Sequence, residues 1–165
     1  MFTDIKLRQV GAPGELWLGP SVQELVFQFR QTGALDKEAG GILLGHRRGC
    51  HIEVLEGSAP MAGDIRRRNS FERKDPDHQA VSDDRWKASN GTITYLGEWH
   101  THPAEMPTPS PTDEIEWGKL GKFYRDPLVF LIAGTDRWYV ELNRSKWLIN
   151  FRCSPDSVLT VLTTG

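Results

Sequence analysis

The chain has 165 residues, 38% hydrophobic and 25% charged, with a formal net charge of −2. That length suits one domain with a sizeable core, and the near-neutral charge gives no global field to draw the chain to nucleic acid or a membrane surface. The opening MFTDIKLRQV lacks the apolar run of a secretory signal, and no stretch reaches the roughly 18 apolar residues of a membrane helix.

In chain order, GPSVQELVFQFRQTGA reads as a helix. Ser21 is the expected N-cap, Glu24 completes a capping box, Leu25, Val26 and Phe29 form the apolar stripe, and Gly33 ends it. GGILLGH at 40–46 is a short apolar run between glycines and suits a buried strand. CHIEVLEGSAP follows as a second strand, antiparallel across HRRG. Residues 60–73 have no helical pattern and are expected to be extended or looped. DPDHQAVSDDRWKASNG reads as a polar helix opened by Asp75-Pro76 and closed by Asn90-Gly91. TITYLGEW is the next strand and 103–110 a loop. SPTDEIEWGKLGKFY begins a helix with Ser110 at the cap and Pro111 in the first turn. PLVFLIA, RWYVEL and KWLINF then run as strands. The expectation is an α/β fold, a mixed sheet flanked by helices, in one domain over residues 1–165. Cys50 and Cys153 lack metal-type spacing, and nothing demands that they form a disulfide, so a reduced, cytoplasmic protein is expected.

The chemistry concentrates in GEWHTHPAEMPTPSPTDE, residues 97–114. Side chains alternate along a strand, so His100 and His102 project the same way and their imidazoles can converge in front of the sheet. Asp113 falls in the first turn of the next helix, and Pro103, Pro107 and Pro109 stiffen the spacer between them. A bare His-x-His is more often two polar residues at a strand end. Taken singly, Ser110 is a good N-cap and Asp113 an acid suited to the helix dipole. The combination favours Zn2+ held by two histidines and one aspartate, with a fourth position open as in catalytic sites. Zinc lowers the pKa of a bound water to about 7, and peptide hydrolysis then needs a general base. Glu38, just before AGGILLG, is the candidate, although alone it reads as a solvated carboxylate in DKE.

Together, EAGGILLG, HTHP and SPTD resemble the signature of the JAMM metalloprotease family, also called MPN-plus or Jab. That signature is a glutamate, then His-x-His, seven residues, Ser, two residues and Asp, and the resemblance spans about residues 20–135. It implies a mixed sheet flanked by helices, related to cytidine deaminases. It also implies His100, His102 and Asp113 as zinc ligands, Glu38 as general base and Ser110 as a donor to the developing oxyanion. That last role competes with capping for the same hydroxyl. Eukaryotic members usually carry an aromatic where this chain has Glu98, which shares a strand face with the two histidines. Glu98 is expected to orient a histidine rather than to ligate.

The GEWHTHP form is similar to the prokaryotic Jab branch. The compact layout resembles deconjugating peptidases encoded in bacterial antiphage operons beside ubiquitin-transfer-like enzymes. The resemblance implies an isopeptidase that frees a target, such as a CD-NTase-type cyclase, from a conjugate with a ubiquitin-like protein. Two alternatives stay open: a peptidase trimming a sulphur-carrier protein, and a non-catalytic MPN-type scaffold, against which the intact ligand set argues. Nucleobase deamination is disfavoured because no paired-cysteine motif exists.

Residues 60–74 are the expected edge or flap beside the centre, with Arg66, Arg67 and Arg68 as a solvated basic loop. Trp99 is expected in the core and Trp117 as a wall of the site. Trp138 and Trp147 are expected to pack from strands. His46, His51 and His78 are expected to be structural or surface residues.

Overall fold

A computed structural model describes residues 2–8, 14–142 and 145–152. It opens with two short strands, β1 (Ile5–Arg8) and β2 (Glu15–Leu18), paired antiparallel with Ile5 opposite Leu18. Sequence reasoning did not identify either one: four residues are too few for alternation to stand out.

Helix α1 spans Pro20–Gln28. Its N-cap is Gly19, without a side-chain cap bond, so the expected Ser21 cap is incorrect. Pro20 has no N–H to satisfy and a φ already suited to the first helical position, so the helix begins before Ser21 and draws it inside. The helix also stops at Gln28, well short of Gly33. Val22 and Val26 are fully buried, and Leu25 and Phe29 pack at the margin of the same cluster.

Strands β3 (Gly40–Arg48) and β4 (His51–Gly57) form the expected antiparallel hairpin, with Gly49 left-handed in the turn at φ 62°. The segment expected as extended or looped folds into a separate two-stranded sheet, β5 (Ile65–Arg67) with β6 (Ser70–Glu72). Helix α2 (Asp77–Ala88) is followed by Asn90 and Gly91, both with positive φ. Then come β7 (Thr94–Thr101), α3 (Pro111–Phe123), β8 (Val129–Ala133), β9 (Arg137–Leu142) and β10 (Ser145–Arg152).

The main sheet runs β1-β2-β4-β3-β7-β8-β9-β10, antiparallel except for β2–β4 and β7–β8. The β7–β8 pair is parallel because α3 carries the chain across between them. Helix α1 joins a core containing Leu18, Leu43, Val54 and Trp99. Helix α3 builds a second cluster, with Trp117 stacked on Phe130 at 4.5 Å between centroids. Burial from both sides explains the unbroken apolar run of β8, all five residues of which are buried. Within β7, Gly97 has φ 145°, and a Cβ there would lie 1.9 Å from the Val129 carbonyl oxygen. Only glycine fits this irregularity, which lies just before the histidines.

Candidate metal centre

Strand β7 delivers His100 opposite Gly40 on one side and Ile132 on the other. His102 lies just beyond the strand, its N–H donating to the Ala133 carbonyl at 2.9 Å. The two Nε2 atoms face each other at 3.0 Å. Asp113 reaches them from the first turn of α3, with Oδ1 3.4 Å from His100 Nε2 and Oδ2 3.4 Å from His102 Nε2. The three residues form a group able to hold a metal ion. Tetrahedral zinc with bonds of roughly 2.0–2.1 Å sets its ligand atoms about 3.3 Å apart, so these separations fit such an ion. The donor types agree as well, since two imidazoles and a carboxylate can each offer a lone pair to one point.

The electrostatics suit that use. Burial alone would raise the Asp113 pKa, but hydrogen bonds with His100 and His102, the charge of His100 and the Ser110 hydroxyl outweigh it. They hold the carboxyl well below the usual range, so Asp113 is ionised as a ligand must be. Trp117 closes one wall, its ring 6.2 Å from that of His100.

Glu38 sits at the mouth of β3 with Oε1 4.0 Å from His102 Nε2 and only 4% of its surface exposed. Burial pushes its pKa up to about 7; the charge of His102 partly opposes the rise and that of Asp113 adds to it. This is a buried acid poised near neutrality, unlike the solvated carboxylate its local sequence suggests.

Ser110 caps α3 as expected. Its Oγ accepts from the Asp113 N–H at 3.2 Å and donates to Asp113 Oδ2 at 2.7 Å, while its own N–H donates to the same oxygen at 2.7 Å. The hydroxyl proton expected to serve an oxyanion is therefore engaged with Asp113.

Two expectations need correction. Glu98 shares the histidine face, but it pairs with Arg73 (Nη2 at 2.6 Å, Nε at 3.1 Å) and accepts from the Tyr95 hydroxyl at 3.4 Å, rather than orienting a histidine. Alternation gave its face correctly; the arginine arriving from the end of β6 claims the carboxylate. Arg66 and Arg68 are not simply solvated. Arg66 donates to the carbonyls of Glu38 (2.8 Å) and Lys37 (3.3 Å), and Arg68 to those of Gly33 (3.1 Å) and Asp36 (3.4 Å). Arg67 keeps an exposed pair with Glu72. The β5–β6 hairpin is thereby fastened beside Glu38, and its Phe71 ring fills the space a Cβ at Gly40 would need.

His78 is structural, as expected, and fully buried. The Ile42 N–H donates to Ser58 Oγ, which is hydrogen-bonded to His78 Nδ1 at 2.6 Å, and His78 Nε2 is hydrogen-bonded to Asp64 at 2.9 Å. Trp99 is in the core, its indole N–H on the Ser58 carbonyl, and Trp138 is fully buried. His46 approaches the Thr92 carbonyl, and His51 is exposed. Expectations for the Trp147 side chain and for Cys153 lie outside the described residues. Sequence reasoning missed Thr101, Gln31 and Phe71. Each acts through a partner far along the chain, which no local pattern reports.

Two imidazoles, an aspartate and a buried carboxylic acid, gathered at one end of the central strands β3 and β7 of a mixed α/β sheet, form the arrangement of the metal-dependent hydrolases as a class. The chain belongs to the family of prokaryotic homologs of the JAB domain, which matches residues 23–149. It is 43% identical over 129 residues to a "CD-NTase/cGAS isopeptidase" of Pseudomonas aeruginosa, covering 77% of this chain and 82% of that protein. A protein of the same name from Escherichia coli is 43% identical over 111 residues, covering 67% and 70%. Among solved structures, the solution structure of a Desulfitobacterium hafniense protein superposes with a TM-score of 0.52 at 22% identity, over 76% of this chain and 87% of that one, a likeness of fold.

Proposed function

We propose that this protein is a zinc-dependent isopeptidase that cuts behind the C-terminal tail of a ubiquitin-like protein and frees the protein conjugated to it. A CD-NTase-type cyclase is the proposed target, in keeping with the name carried by the relatives at 43% identity. One observation carries the reading: His100, His102 and Asp113 converge with Glu38 4.0 Å from His102. The same reading makes this an enzyme of bacterial antiphage defence acting in the cytoplasm, and no helix among the described residues is long and apolar enough to cross a membrane.

His100, His102 and Asp113 would hold the zinc ion. When bound, the ion would polarise the scissile carbonyl and acidify the attacking water. Glu38, with a pKa near 7 when the ion is absent, is placed to take a proton from that water and hand it to the leaving amine. Asp113 stays ionised throughout. Ser110 Oγ–H is the donor for the oxyanion, released from Asp113 Oδ2 while the Ser110 N–H keeps its own bond to that oxygen and the cap survives. Trp117 and Phe71 narrow the approach and limit competing water.

The test is cleavage of a conjugate built from the products of neighbouring genes, with and without chelator, alongside metal stoichiometry by mass spectrometry. Chelator-sensitive release of the intact target, with one zinc per chain, is expected. No cleavage by zinc-loaded protein, or cleavage indifferent to chelator, overturns the proposal.

A further inference from the structure

Glu38 and Ala39 find their backbone hydrogen-bond partners in distant parts of the chain. The Glu38 N–H donates to the Arg67 carbonyl at 2.8 Å, and the Glu38 carbonyl accepts from Arg66 Nε at 2.8 Å. One residue on, the Ala39 carbonyl accepts from the Thr101 N–H at 2.9 Å, and the Ala39 N–H donates to the Thr101 hydroxyl at 3.0 Å. Thr101 is the residue between the two histidines. Alternation turns it to the opposite face of β7, where it is fully buried. Having accepted from Ala39, its hydroxyl donates to Gln31 Oε1 at 3.2 Å. Gln31, also buried, donates from Nε2 to the carbonyls of Arg68 at 2.8 Å and Asp36 at 3.2 Å. One buried chain of hydrogen bonds therefore joins the histidine strand, the glutamate segment and the β5–β6 hairpin.

We propose that Thr101 is a positioning residue for Glu38: its hydroxyl, backed by Gln31, fixes the 38–39 backbone against the strand that carries the metal-binding histidines. The proposal rests on the assignment of Glu38 as the base. A β-branched residue suits this place, since its χ1 is restricted and the hydroxyl is held in one direction. Valine has the same shape without the hydroxyl. It would leave the buried Ala39 N–H without an acceptor and let Glu38 drift, while the strand that bears the histidines keeps its ladder.

The test compares Thr101→Val, Thr101→Ser and, in case the valine variant folds poorly, Gln31→Met. Four quantities are read: kcat and KM for conjugate cleavage, zinc affinity by chelator competition, and amide hydrogen exchange at residues 36–40 with β8 as internal reference. Thr101→Val is expected to lower kcat about tenfold to a hundredfold, the scale on which small misplacements act. KM and zinc affinity should stay within about threefold, and residues 36–40 should exchange at least about tenfold faster while β8 is unchanged. Thr101→Ser should restore kcat to within about threefold, and Gln31→Met should lower it by a smaller factor than Thr101→Val. The proposal is overturned if Thr101→Val keeps wild-type kcat, if zinc affinity falls in step with kcat, or if exchange at 36–40 stays put. If wild type cleaves nothing, the isopeptidase reading fails, and the exchange measurement alone decides whether Thr101 clamps this segment.

Discussion

Replacing Glu38 with glutamine separates the cost of the buried acid from its use. In the metal-free protein the Glu38 pKa rises from 4.5 to about 7, chiefly through burial. A group whose pKa is raised on folding adds stability below its unfolded value, and that contribution is lost as pH rises through the folded value. The rise corresponds to about 3 kcal/mol, most of it lost between about pH 5 and pH 8. Glutamine keeps the shape and has no proton to lose. Thermal melts of both chelated proteins at about pH 5 and pH 8 should therefore diverge, the variant melting higher at the upper pH. With a few degrees per kcal/mol for a chain of this size, the gap between them should widen by about 5–10 °C. Other titrating groups cancel in the comparison because both proteins carry them. The variant should still bind zinc yet lose cleavage by a factor of about 100 or more, as removal of a general base does. If both proteins lose equal stability across this window, Glu38 is not a buried neutral acid. If the variant cleaves at the wild-type rate, Glu38 is not the base.

Asp113→Ala should weaken zinc binding by at least about a hundredfold, read by chelator competition, because it removes the one carboxylate of the proposed ligand set and Glu98 is held by Arg73. It should also lower stability by about 1 kcal/mol through loss of the capping box, read as a lower melting point. Glu98→Gln should leave zinc affinity and kcat within about threefold and cost no more than about 1 kcal/mol, since its pair with Arg73 is partly exposed; a large loss of zinc would restore Glu98 to the centre. Gly97→Ala should destabilise by more than about 3 kcal/mol in denaturant titration, because the added Cβ meets a backbone oxygen at a φ that L residues rarely adopt.

Local rules revealed the centre where the chemistry is local. Strand alternation set His100 and His102 on one face, and the start of α3 was legible because Ser110, Pro111 and Asp113 each favour that position. Glu38 was different. Its neighbours Asp36 and Lys37 suggest solvent, and its burial arises from a hairpin about thirty residues later and a strand about sixty later. The motif resemblance singled it out; propensity did not. Ser21 misled because two signals competed for one helix start and Pro20 won. Arg66 and Arg68 carried no sign of their carbonyl partners, which are backbone groups and leave no trace in residue identity. The first two strands fell below the length at which a period of two can be read.

Asp113 serves the helix start and the centre together. Oδ2 takes both hydrogen bonds from Ser110 and also lies 3.4 Å from His102 Nε2, while Oδ1 faces His100. The helix start is thus secured by the chain's own donors, and the ion needs to recruit no scaffold of its own. If the zinc proposal holds, a protein stripped of the ion should remain a folded, waiting receptacle, refilled as fast as the ion arrives. In a cell whose free zinc rises and falls, its activity would then follow supply within one protein lifetime, with no new synthesis and no refolding.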